Sequence, residues 1–85
     1  MPAIDPNRIR EVVFDALESF GAERDDIAAD TTLESLDVDS LDLVELAQIV
    51  EDEFGHRLEA EEFKGVVTVG DALAVVERCI MQAVA

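Results

Sequence analysis

The stretch DVDSLDLVELAQIVEDEFG, residues 37–55, decides the fold. At about 100° per residue, Leu43, Leu46, Ala47, Val50 and Phe54 fall on one side of a helix, the core side. Asp39 and Ser40 both suit a helix start, and Gly55 suits a C-terminal stop. The helix is therefore expected to begin at Asp39 or Ser40 and to run to about Phe54. A second side carries Leu41, Val44 and Gln48 next to Ser40, bordered by Glu45, Glu51 and Asp52. An apolar centre with a charged rim is a common arrangement for protein docking. A loop folded over Leu41 and Val44 would explain the same pattern. Ile49 belongs to neither side.

Upstream, Asp5-Pro6 has the form of an N-cap followed by proline at the first helical position. Ile9, Val12, Val13, Ala16, Leu17 and Phe20 then form one apolar face, and Gly21 closes the helix. Residues 21–39 are polar and aperiodic. They read as a long ordered loop pinned to the core by Ile27, Leu33 and Leu36, and loops this long in small domains are often functional. Downstream, a short helical piece is expected at Glu59 to Phe63. Thr68 and Asp71 have capping-box spacing at the start of a last helix, whose apolar face holds Leu73, Val76, Ile80 and Val84. No segment alternates convincingly as a strand. The expected architecture is all-α, a small four-helix bundle with a long loop between helices 1 and 2 and a short third helix.

The 85 residues suffice for a single domain, 1–85. The formal net charge is −15, from 21 acids against 6 bases. That argues against nucleic acid, which needs a basic footprint, and against an anionic membrane surface. It favours partners presenting Lys and Arg, although simple solubility accounts for the same composition. The lone cysteine, Cys79, allows no internal disulfide and lies among Val76, Ile80 and Val84, so it reads as a small buried side chain. No apolar run approaches a membrane span of about 20 residues. The N-terminus lacks a signal-peptide layout, and a cytoplasmic location is expected.

Four roles are open to Ser40. A calcium loop would place Asp37, Asp39 and Glu45 at liganding positions. It fails at Leu41, at Asp42 where the turn needs Gly, and at Gln48 where a bidentate Glu is needed, so no metal site is expected. A catalytic nucleophile needs a base, and the only histidine, His56, lies beyond the far end of a helix about 20 Å long. With no catalytic residue assignable, the chain is not expected to be an enzyme. A helix cap is the simplest role. A covalent attachment point is the fourth: a helix N-terminus is exposed and stabilises a phosphate, while Asp37, Asp39 and Asp42 repel one.

These residues resemble the signature of acyl carrier proteins. In that family an Asp-Ser-Leu triplet opens the second helix, and Asp39-Ser40-Leu41 matches it. Val44-Glu45-Leu46, the acids from Glu51 followed by Phe54, and Val67-Thr68-Val69-Gly70-Asp71 match further parts, so the resemblance covers nearly the whole chain. It implies a right-turning four-helix bundle and a 4′-phosphopantetheine arm on Ser40, donated by coenzyme A through a phosphopantetheinyl transferase. The arm's thiol would carry acyl groups as thioesters, with the core around Leu43, Leu46, Val50 and Phe54 as the expected shelter. Asp39, Leu41, Val44, Glu45, Gln48, Glu51 and Asp52 would meet basic patches on acyltransferase or ketosynthase-type enzymes of a fatty-acid or polyketide pathway. A stand-alone monomer is expected. Two positions depart from the family pattern: Asp37 stands where Gly is usual, and Gln48 where fatty-acid members commonly have Met. The competing reading is an acidic helical interaction module without a prosthetic group, with Ser40 as its cap.

Overall fold

The computed structural model describes residues 5–84, with side chains over residues 5–81. Three α-helices account for most of these residues: α1 (Pro6–Ser19), α2 (Ser40–Phe54) and α3 (Val69–Val84). Short 3-10 turns at Arg24–Asp26, Glu34–Leu36 and Ala60–Phe63 fill the connections. The expected short third helix is the last of these turns. Its four residues are too few for α-helical propagation, and i→i+3 bonds such as Lys64 N–H to the Glu61 carbonyl (3.0 Å) suit so short a piece.

Local chemistry sets each helix boundary. Asp5 caps α1 by accepting the Asn7 N–H at 2.9 Å, and Pro6 occupies the first turn. At its end, Gly21 takes φ +110° while Ala22 N–H reaches the Leu17 carbonyl at 3.1 Å. α2 starts in a capping box: Asp42 N–H donates to Asp39 Oδ1 (3.0 Å), and Asp39 N–H donates to Asp42 Oδ2 (3.2 Å). α3 repeats the device. Asp71 N–H donates to Thr68 Oγ1 (3.1 Å), and the Thr68 and Val67 N–H groups both donate to Asp71 Oδ2 (3.2 Å each). Those two donors hold the Asp71 carboxyl below the usual carboxylate range.

The core lies where the three apolar faces meet. Ile9, Val13 and Leu17 of α1, Leu46 and Val50 of α2, and Val69, Val76 and Ile80 of α3 are fully buried. Each large side chain among them contributes about 1.5–3 kcal/mol by leaving water. α1 packs on both other helices, and the Ala60–Phe63 turn lies against α2 and α3 with Phe63 buried. Ile49 is half-buried facing α1, in a groove with Val12, Ala16 and Glu53. Ile49 fits neither side of the sequence pattern because α2 packs against both α1 and the Ala60–Phe63 turn, which gives it a third face. Cys79 is half-exposed rather than buried. Its thiol donates to Glu62 Oε2 at 3.7 Å, and burial, then the Glu62 carboxylate, push its pKa up. The expected contribution of Val84 lies outside the described side chains.

The long loop is ordered by backbone bonds as well as by apolar anchors. Ile27 and Leu33 are buried and Leu36 is half-buried, as the pattern implied. Three bonds then tie the loop to the start of α3: Leu33 N–H to the Val67 carbonyl (2.9 Å), Val69 N–H to that of Thr31 (2.8 Å) and Gly70 N–H to that of Ala29 (2.8 Å). Thr32 and Thr68 form an antiparallel bridge between them. On the opposite side, Arg24 lies 5.3 Å from the centre of the Phe14 ring and pairs with Asp15 and Glu18.

Candidate functional site

Ser40 is the first residue of α2, and the cap before it is Asp39. The cap role is thus filled by the aspartate, and the serine hydroxyl is not engaged by it. Ser40 is exposed. The first-turn N–H groups of Ser40 and Leu41 have no acceptor inside the helix, so the positive end of the helix dipole is presented at this serine.

Two clefts meet at Ser40. One, of about 610 Å³, lies between the start of α2 and the loop, with Leu33, Glu34, Asp37, Val38, Leu43 and Val67 among its walls. The other, of about 290 Å³, runs between α2 and the Ala60–Phe63 turn, lined by Leu43, Val44, Ala60, Glu61, Phe63 and Lys64. Leu43 is shared by both. A hydroxyl at a common mouth, beside a helix N-terminus and two partly apolar clefts, suits a phosphodiester continued by a slender chain. The residues present fit such a group.

The loop approaches Ser40 through Asp37, which has φ +60° and ψ +30° and is the only non-glycine residue with positive φ among those described. This is the position where the family pattern has Gly. Aspartate tolerates the left-handed region better than most residues, so the turn survives the departure.

Leu41 is 75% exposed and Val44 40% exposed, so the loop does not cover this side of α2. Glu45, Gln48, Glu51 and Asp52 are also exposed. Gln48 and Glu51 edge a groove of about 360 Å³ shared with Arg57, Leu58 and Glu59. Two acids at the end of α2, where they oppose the dipole, have structural partners. Glu51 Oε1 accepts the Leu58 N–H at 3.3 Å, and Glu53 pairs with Arg8 of α1. Asp39, the cap residue, is exposed and lines the cleft mouth beside Ser40.

His56 lies past Gly55 at the opposite end of α2 from Ser40, a separation of about 20 Å along 15 residues. Several residues at the Ser40 clefts escaped the sequence reading, among them Phe63, Lys64 and Val66. These three arrive from more than twenty positions downstream, and no periodicity links them to Ser40. One signal was available: Lys64 is the only lysine of the chain.

Comparison with known proteins agrees with this geometry. The family described as "Phosphopantetheine attachment site" matches residues 7–76. The acyl carrier protein of Streptococcus thermophilus (strain CNRZ 1066) is 37% identical over 70 residues, covering 82% of this chain and 88% of that one. That of Lactobacillus acidophilus is 36% identical over 72 residues, covering 84% and 86%. That of Saccharopolyspora erythraea is 39% identical over 70 residues, covering 75% and 74%. A matched family spanning most of the chain, relatives covered over 74% to 88% of their length and an exposed serine on α2 that is free of the cap role lead to one conclusion: this chain belongs to the acyl carrier protein family, and its cofactor is 4′-phosphopantetheine.

Proposed function

We propose that Ser40 is the attachment point and that residues 1–85 form one carrier domain. The observation that carries this reading is the division of labour at the start of α2. Asp39 caps the helix, and Ser40, one residue on, offers an exposed hydroxyl at the mouth of two clefts. In attachment, Ser40 Oγ forms a bond to the phosphorus next to pantetheine in coenzyme A. The pyrophosphate bond breaks, 3′,5′-ADP leaves, and the Oγ proton passes to a base on the transferase. When bound, the arm supplies a thiol that holds acyl groups as thioesters. This chain's residues bind and orient: the dipole of α2 faces the phosphate, and Leu43, Val44 and Phe63 offer apolar walls to the pantetheine chain beyond it. The turn at Ala60–Phe63 takes the place of the family's short third helix.

Carriers of this family work with a phosphopantetheinyl transferase and with biosynthetic enzymes. For this chain, Asp39, Leu41, Val44, Glu45, Gln48, Glu51 and Asp52 are the proposed contacts to acyltransferase or ketosynthase-type partners with basic patches, met as a cytoplasmic monomer. Gln48 makes the centre of that side polar. It makes a specialised pathway, polyketide or other, at least as good a reading as housekeeping fatty-acid synthesis. No helix among the described residues is long and apolar enough to cross a membrane.

Incubation with coenzyme A and a broad-specificity transferase tests attachment by intact mass. A gain of one arm in the wild type and none in Ser40→Ala is expected. A gain that persists in Ser40→Ala, or none with several transferases, would refute it.

A further inference from the structure

Among the described residues, Lys64 is the only cation lining either cleft that contains Ser40. It sits at the end of the Ala60–Phe63 turn, exposed, with its backbone extended (φ −62°, ψ 130°). Three of the five arginines are paired, Arg8 with Glu53, Arg24 with Asp15 and Glu18, and Arg57 with Glu59, while Arg10 and Arg78 line neither Ser40 cleft. Lys64 follows Glu61 and Glu62 closely, yet it enters no ion pair among the described residues.

The charge around Ser40 asks for such a group. A phosphodiester there carries one negative charge at neutral pH. Glu34, Asp37 and Asp39 line one cleft and Glu61 the other. Asp39 and Asp42 face the N–H groups of their own capping box, which disperses part of their charge without cancelling it. The N-terminus of α2 contributes a positive end of roughly half a charge. A lysine on a flexible four-carbon stem supplies a full charge from the opposite wall of the smaller cleft.

We propose that the Lys64 ammonium pairs with the phosphodiester formed on Ser40 and holds the first bonds of the arm along the cleft between α2 and the Ala60–Phe63 turn. Lys64 is thus a positioning residue for the arm. This inference rests on the attachment reading, and one experiment separates the two. Wild type, Lys64→Gln and Lys64→Arg are converted with excess transferase, and the mass gain is confirmed. The ³¹P resonance of each loaded protein is then recorded at low and high NaCl, and Tm is measured with and without the arm.

In the wild type the ³¹P resonance is expected to move with salt as the pair is screened. In Lys64→Gln it is displaced and insensitive to salt, and Lys64→Arg stays close to the wild type. Loading is expected to lower Tm by about 2 °C more in Lys64→Gln than in the wild type, the size set by an exposed ion pair. A wild-type chain that gains no mass takes both readings down. Full mass gain with coincident ³¹P resonances in the wild type and Lys64→Gln, and equal changes in Tm, overturns the role of Lys64 alone.

Discussion

Asp37 occupies backbone space that ordinarily falls to glycine, with φ +60°. An ordinary L-residue loses about 1–2 kcal/mol there, while Asp loses less. Asp37→Val is therefore expected to lower stability by about 1–2 kcal/mol, since β-branching is worst in this region. Asp37→Gly should hold or raise stability by up to about 1 kcal/mol, because relief of strain competes with the greater freedom of Gly in the unfolded chain. Urea unfolding of both variants checks the pair; equal losses would mean that backbone conformation does not govern this position. The sequence exposed the departure at 37 by comparison with the family pattern. Only the coordinates show that the local dihedral requires what that pattern usually supplies.

At the scale of the element, α2 was the most legible part of the chain. Its boundaries, its stop at Gly55 and the burial of Leu46, Ala47 and Val50 follow from period and caps. Which residue caps did not follow, because Ser and Asp suit an N-cap about equally. The backbone turn places Asp39 at the cap and Ser40 one step inside, and that single step frees the hydroxyl. The burial or exposure of Leu41 and Val44 was equally open from sequence, since it depends on where a distant loop goes. Their exposure leaves Glu45 on an open, acid-rimmed side. Glu45→Lys is expected to slow association with a basic partner enzyme on the order of threefold at low salt and to flatten the salt dependence. Stopped-flow rates that match the wild type would remove Glu45 from the docking side. Glu53 is a weaker candidate for docking because Arg8 already claims it.

For the whole molecule, the stitching of the loop to α3 is what brings the Ser40 region into register. Gly70 makes one of its bonds. A Cβ added there would come 2.9 Å from the Ala29 carbonyl oxygen, the same atom that accepts the Gly70 N–H. Helix propensity favours Ala over Gly by about 0.5–1 kcal/mol, whereas overpacking against backbone costs about 1–3 kcal/mol. Gly70→Ala is thus expected to lower Tm by roughly 5 °C, seen by calorimetry. Asp71 ties the same junction through its carboxylate. Its pKa is lowered on folding, so its stabilisation is present above the unfolded value of about 3.9 and is lost as pH falls through the folded value. Asp71→Asn should be less stable than the wild type at pH 7, with the difference closing as pH falls below the unfolded value. A gap that stays constant with pH would show that the charge of Asp71 is not what stabilises the junction.

The sequence by itself determined the three long α-helices, their approximate ends, the apolar faces and the family signature around Ser40. All of these are local, written in spacings of three and four or in adjacent residues. The tertiary structure decided what depends on contacts between distant segments. It turned the third helix into a 3-10 turn, gave Ile49 a face against α1 and bound the loop to α3 through the Thr32–Thr68 bridge. It also set Phe63 and Lys64 opposite Ser40. Periodicity reports which side of an element is apolar. It does not report which neighbour meets that side, because that is settled only when all the apolar faces are buried together.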